Sequence, residues 1–172
     1  MNGENTQASP ETILDFWFAG AANDPACATA RNDFWFKSSS EDALIRERFV
    51  HTIEAAARGE LAAWADAPRP ALALVLLLDQ FPRNIWRGTA RAFARDAQAL
   101  KTAQHAVASG YLQQLTPVEQ VFLLLPYQHS ESVEDQRESV RLAEEITRAA
   151  PPEWRSSMEY YASFSKQHRD LI

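Results

Sequence analysis

The chain has 172 residues, 46% of them hydrophobic and 23% charged, a balance that suits one globular domain with a sizeable core. A net charge of -6 and a pI near 5.2 argue against general affinity for nucleic acid or an anionic membrane surface. One cysteine, Cys27, excludes an internal disulfide framework and a cysteine-rich zinc site, and fits a reducing cytoplasm.

Residues 1–9 are polar and show no basic stretch followed by an apolar one, so no secretory signal is visible; residues 1–8 are expected to be disordered. Ser9-Pro10-Glu11 then starts a helix with a capping serine, a proline at the first position and an acid at the positive end of the dipole. It carries Ile13, Leu14, Trp17 and Phe18, and Gly20 ends it. Residues 20–39 read as irregular, although Phe34, Trp35 and Phe36 are too apolar for a solvated loop and should pack down. A second helix starts in the serine run 38–40, where Ser38 and Glu41 have capping-box spacing. Ile45, Phe49, Ile53 and Ala56 form its inner stripe, and Gly59 follows its end.

A turn around Leu61 and Trp64 leads to Pro68 and Pro70, which open a third helix with an unbroken apolar run from Ala71 to Leu78. Alanine and leucine dominate that run and no period of two occurs, so a helix is favoured over a strand. A fourth helix runs from a capping Asp96 to Gly110, with Leu100, Ala103 and Val107 inward. Thr116-Pro117-Val118-Glu119 combines a capping box with proline at the first position and starts a fifth, apolar through Leu125 and meeting Pro126. Ser132 and Asp135 begin a sixth, with Val140, Ala143 and Ile146 inward. Pro151-Pro152 stops it and launches a seventh, whose face carries Trp154, Met158, Tyr161, Ser165, His168 and Ile172. Trp17, Trp35, Trp64 and Trp154 are expected in the core.

The class is therefore all-α: about seven helices, a leading one and three stacked antiparallel αα-hairpins, as in tetratricopeptide-like superhelices. No sequence repeat at a fixed period supports that stack, so any repetition is structural.

The third and fifth helices end alike. Each passes from continuous leucines through a proline to a polar cluster: Asp79, Gln80, Pro82, Arg83, Asn84 and Arg87 after the third, Pro126, Tyr127, His129 and Glu131 after the fifth. Inner helices of stacked hairpins run parallel, so these two clusters should face one another. Arginine forks at 83 and 87 suit a carboxylate or phosphate. His129 is the candidate acid or base, with Glu131 or Asp79 orienting it or serving as bases themselves. Tyr127 and Trp86 are candidate walls for a planar group.

The plainer readings stand beside these. Asp79 and Arg83 have the i,i+4 spacing of an ion pair that braces a helix end. Asn84 and Gly88-Thr89 suit turn chemistry, and Glu131 suits the start of the next helix. His129-x-Glu131 with a distant His168 is a weak metal set, lacking any paired-histidine spacing, so neither metal nor cofactor is expected. No glycine-rich phosphate loop and no GxSxG elbow occur.

Leu78-Asp79-Gln80-Phe81-Pro82-Arg83-Asn84, with Arg87-Gly88-Thr89-Ala90 and Ala92-Phe93-Ala94 after it, resembles the signature of a bacterial family, domain of unknown function 924. Asp15 to Phe18, Trp35-Phe36, Leu125-Pro126-Tyr127, His129-Ser130-Glu131, Asp135-Gln136 and His168-Arg169-Asp170 extend the likeness over nearly the whole chain. The resemblance implies a tetratricopeptide-like helical fold and no activity, substrate or cofactor. It also implies a Phe-Gly-Arg-Phe-Pro-His-Arg-Asn segment after the His168 helix. The sequence stops at Ile172, so a site closed by that segment is expected to be incomplete here.

Three functions follow as expectations for a soluble cytoplasmic protein. One is binding of a small polar or anionic ligand by Asp79, Gln80, Arg83, Asn84, Arg87, Tyr127, His129 and Glu131. Another is acid–base catalysis, as a hydrolase or isomerase, through His129. The third is a scaffold with a groove for a peptide or protein partner.

Overall fold

The computed structural model describes residues 7–37 and 39–172. Nine α-helical segments cover most of them: α1 (Pro10–Phe18), α2 (Pro25–Phe36), α3 (Asp42–Ala57), α4 (Pro68–Leu78), α5 (Gln80–Ile85), α6 (Asp96–Ala108), α7 (Pro117–His129), α8 (Val133–Ala149) and α9 (Arg155–Asp170). Only Asp79 separates α4 from α5, so the described residues hold eight helical rods and no strand, one rod more than expected. Residues 1–6 of the segment expected to be disordered lie outside the described residues; Ala8 does not, and its amide donates to Thr52 Oγ1 at 2.9 Å.

The additional rod is α2, where an irregular stretch was expected. Asp24 caps it, accepting from the Ala26 amide at 2.9 Å and from Cys27 Sγ at 3.3 Å, and Pro25 takes the first helical position. Its tie to the core is narrow but specific. Arg31 donates from Nε to the Trp17 carbonyl and from Nη2 to the Phe16 carbonyl, each at 2.7 Å, and Trp35 Nε1 donates to Trp17 O at 2.9 Å. These donors take up carbonyls that α1 leaves open at its end, where Ala19 and Gly20 turn the chain through positive φ. The Ser38 cap expected for α3 lies outside the described residues; the helix starts at Asp42, behind Glu41, whose side chain makes no capping bond. At α6 the cap position falls on Arg95, and Asp96, the expected cap, is the first helical residue.

α4 is the central rod. Every residue from Ala71 to Leu78 is buried, against α1, α3, α6 and α7. α7 packs on α6, α8 and α9, and α8 pairs with α9. This succession of paired helices is compatible with a tetratricopeptide-like stack. Aromatic rings fill the wide space between α1, α2 and α7: Phe122 lies 5.6 Å from Trp17 and from Phe18, 5.0 Å from Trp35, and stacks on Phe36 at 5.8 Å. Trp17, Trp35 and Trp154 are buried as expected, while Trp64 packs on the core from its edge. Ile172, placed with the inner face of the last helix, is exposed instead.

At the N-terminal ends of α4 and α7, Arg69 spans Glu119 (2.8 Å) and Glu11 (2.9 Å). Glu119 is buried and also accepts from the Thr116 amide at 2.9 Å, completing the expected helix start. The opposite ends of these two helices carry the polar clusters.

Candidate functional site

The rod α4–α5 breaks where its sequence turns polar. Asp79 keeps a helical amide bond to Val75 O, but its φ of -110° and ψ of -65° tilt the next turn away. Pro82 then falls in the first turn of α5, where an amide donor has no helical acceptor to lose. Arg83 closes the joint, donating from Nη1 to the Asp79 carbonyl at 2.9 Å and to Asp79 Oδ1 at 3.2 Å.

α7 continues through Pro126 to His129. Its last carbonyls converge on one side chain of α8. Gln136 Nε2 donates to Gln128 O at 2.8 Å and Ser130 O at 2.6 Å, with Tyr127 O at 3.4 Å. Ser130 Oγ donates to Asp135 Oδ2 at 2.6 Å. These bonds fix the helix end from which His129 projects.

The two ends meet where His129 Nδ1 and Asp79 Oδ1 lie 2.7 Å apart. Asp79 is fully buried and its other oxygen accepts from Gln80 Nε2 at 2.9 Å. Burial pushes the Asp79 carboxyl upward, but the charge and hydrogen bond of His129, with Arg83 and Gln80, outweigh it and hold the group below the ordinary carboxylate value. An Nδ1–H donated to Asp79 leaves the lone pair of His129 on Nε2.

The arginines are engaged elsewhere too. Arg83 forks onto Asp96 at 2.8 and 2.9 Å, and Arg87 onto Asp42 at 2.8 and 3.1 Å. Asn84 Nδ2 donates to Asp42 Oδ1 at 3.1 Å, and Arg46 donates to the Ile85 carbonyl. Both forks therefore already hold carboxylates of this chain.

A groove with a volume of about 1120 Å³ opens beside the cluster, bounded by α2, α5, α7 and α9. Gln80, Arg83, Asn84, Arg87 and His129 line it, and Asp79 lies behind them. Tyr127 and Glu131 do not line it. Tyr127 is buried in the core, its hydroxyl pushed up to about 12 by burial and by Glu138 and Asp135; Glu131 is exposed on the connection to α8. Trp86 also stands apart, with Arg91 3.9 Å over its ring.

Each long wall changes polarity along its length. α7 presents Val118, Val121, Phe122 and Leu125 and then Gln128 and His129. From Trp154 at its start, α9 presents Met158, Tyr161 and Phe164 and then His168. Both histidines line the groove, and burial and the charge of His129 hold the His168 ring below its ordinary pKa. His168 had a signal in the sequence, as a titratable residue on the inner face expected for the last helix. Asp42 and Asp96 had none beyond that of acids at helix starts. Among the described residues no group of three or more His, Cys, Asp or Glu is placed to hold a metal ion.

A family model described as a bacterial protein of unknown function (DUF924) matches residues 13–172. A solved structure of a protein of unknown function, ATU0120 from Agrobacterium tumefaciens, superposes with a TM-score of 0.77 at 33% identity, over 95% of this chain and 81% of that one. No curated protein matches.

Proposed function

We propose, for a chain that belongs to the bacterial DUF924 family, that the groove between α2, α7 and α9 binds a small amphipathic molecule. Its polar head meets His129 and its apolar body lies on the rings of Trp35, Phe122, Trp154 and Phe164. The observation that carries this reading is His129 itself, gripped from behind by a fully buried carboxylate at the polar end of an aromatic groove. The pairing of Arg83 with Asp96 and of Arg87 with Asp42 favours a neutral hydrogen-bonding head over the anionic one that isolated arginines would suggest. The lone thiol of Cys27 fits a reducing cytoplasm.

The test is tryptophan fluorescence titration with dodecyl chains bearing alcohol, amide, carboxylate or phosphate heads. Alcohol and amide should bind most tightly. His129→Ala, and Ser157→Trp placed in the groove wall, should each weaken binding by about tenfold or more, a loss of roughly 1.4 kcal/mol. Binding undiminished in both variants would move the ligand out of this groove.

A peptide is the second occupant the walls suit, because Phe36, Tyr160 and Phe164 stand exposed along them. An extended aromatic peptide that displaced the alkyl ligand would favour it.

A further inference from the structure

The groove brings two histidines with opposite surroundings to one polar end. His129 contacts a fully buried carboxylate, whereas His168 rests against the Phe164 ring at 5.7 Å. Of the two rings, His129 is the one seated on a carboxylate, while burial and the charge of His129 hold His168 below its ordinary pKa. Asp79 also fixes which ring nitrogen is free. With Nδ1 committed to the carboxylate, Nε2 is the nitrogen available to a bound molecule, and the grip on Asp79 from Gln80 and Arg83 keeps the ring from turning.

Side-chain amides complete the set. Gln80 gives one N–H to Asp79 and Asn84 gives one to Asp42; each NH2 group carries a second hydrogen, and both residues line the groove. A poised base, amide donors and an apolar trough in line with them suit a neutral carbonyl attached to a long apolar group. They suit a phosphate poorly, since both arginine forks are occupied.

We propose that this groove is catalytic, and that His129 is the general base that hydrolyses a carboxylic ester whose apolar acyl chain lies along the aromatic wall, with Asp79 as its positioning residue. This rests on the ligand-binding reading above. Nε2 of His129 takes a proton from a water as the water oxygen bonds to the acyl carbon and the carbonyl electron pair moves onto its oxygen, toward the Gln80 and Asn84 amides. The tetrahedral species then collapses, the bond from carbon to the alcohol oxygen breaks, and the imidazolium returns the proton to that oxygen. One ester and one water give one carboxylic acid and one alcohol.

The experiment uses the full chain and p-nitrophenyl esters from acetate to decanoate, with 2-dodecanone as an unreactive binding probe read by tryptophan fluorescence. Turnover should rise with acyl length. His129→Gln should lower kcat by about 100-fold or more, the range for a lost general base, while 2-dodecanone still binds. Asp79→Asn should lower kcat with KM unchanged, a split that general loosening of the fold would not give; if that variant fails to fold, His129→Gln decides. His51→Gln, on an exposed face of α3, should change nothing and controls for adventitious reaction of surface imidazoles. Absence of turnover at every chain length, or equal turnover in the wild type and His129→Gln, overturns the catalytic proposal. If 2-dodecanone binds in that event, the ligand-binding reading survives; if it does not bind, both fail.

Discussion

Asp79 is the residue on which the polar end depends. Its fully buried carboxylate answers a histidine from another helix, an arginine one turn away and a neighbouring amide. Removing it strands the buried Gln80 amide and leaves the part-buried His129 donor unpaired, while Arg83 keeps Asp96, so Asp79→Ala should cost about 1–3 kcal/mol in chemical denaturation. The pH dependence has a definite sign. Because the folded carboxyl lies below its ordinary value, its contribution is complete above the unfolded pKa of about 4. It is lost as pH falls through the lowered folded value, and Asp79→Ala should flatten the acid limb of a stability profile. Of this cluster, the Asp79–Arg83 pair was legible in the sequence, since i,i+4 neighbours share a helix face. Its link to His129, 50 positions away, rested on the hairpin stack, and the Asp42–Arg87 pair left no local trace. Tyr127 and Glu131 were misplaced by trusting proximity in sequence. Two residues before His129 on a helix is nearly the opposite face, and two residues after it the helix has ended.

Among elements, the end of α7 shows how a motif can act at one remove. The amide of Gln136 gathers carbonyls that would otherwise be open at a helix terminus, and Asp135 holds the Ser130 hydroxyl between them. Gln136→Ala should cost roughly 1–3 kcal/mol, the penalty for buried groups left unpaired. It should also broaden the His129 ring resonances in NMR spectra; an unchanged His129 spectrum would mean that α7 is held by other contacts. Residues 135 and 136 were visible in the sequence as part of a family likeness, but nothing there revealed the hydroxyl that Asp135 holds or the carbonyls that Gln136 takes up. α2 was missed for the opposite reason. Asp24-Pro25 is the same kind of start as Ser9-Pro10 and Thr116-Pro117, yet only Ala28 and Trp35 are buried within the helix, too few for a readable stripe. Its position is set by Arg31 and Trp35 reaching back to α1, a tertiary interaction.

For the molecule as a whole, the two inner rods determine both core and groove. Phe122 belongs to each: it is almost wholly buried among the rings of α1 and α2, and its edge forms part of the groove wall. Phe122→Ala should destabilise the fold by about 3–5 kcal/mol and lengthen the apolar groove, so that longer alkyl ligands gain affinity relative to shorter ones. The class and the stack were legible because helix starts, proline stops and apolar stripes are local signals. The groove was not, because its second wall, α2, carries little of that pattern.

The capping of α2 also leaves the protein with a built-in attachment point. Cys27 is the sole cysteine, exposed, and immediately precedes Ala28 and Thr29, which line the groove. Its hydrogen bond to Asp24 raises the thiol pKa and thus restrains its reactivity at neutral pH. A dye coupled to Cys27 under mildly alkaline conditions would sit at the rim with no engineered change to the chain. Trp35 and Trp154, which line the groove, could then serve as energy donors, so that occupancy of the groove could be followed optically for any compound, chromogenic or not.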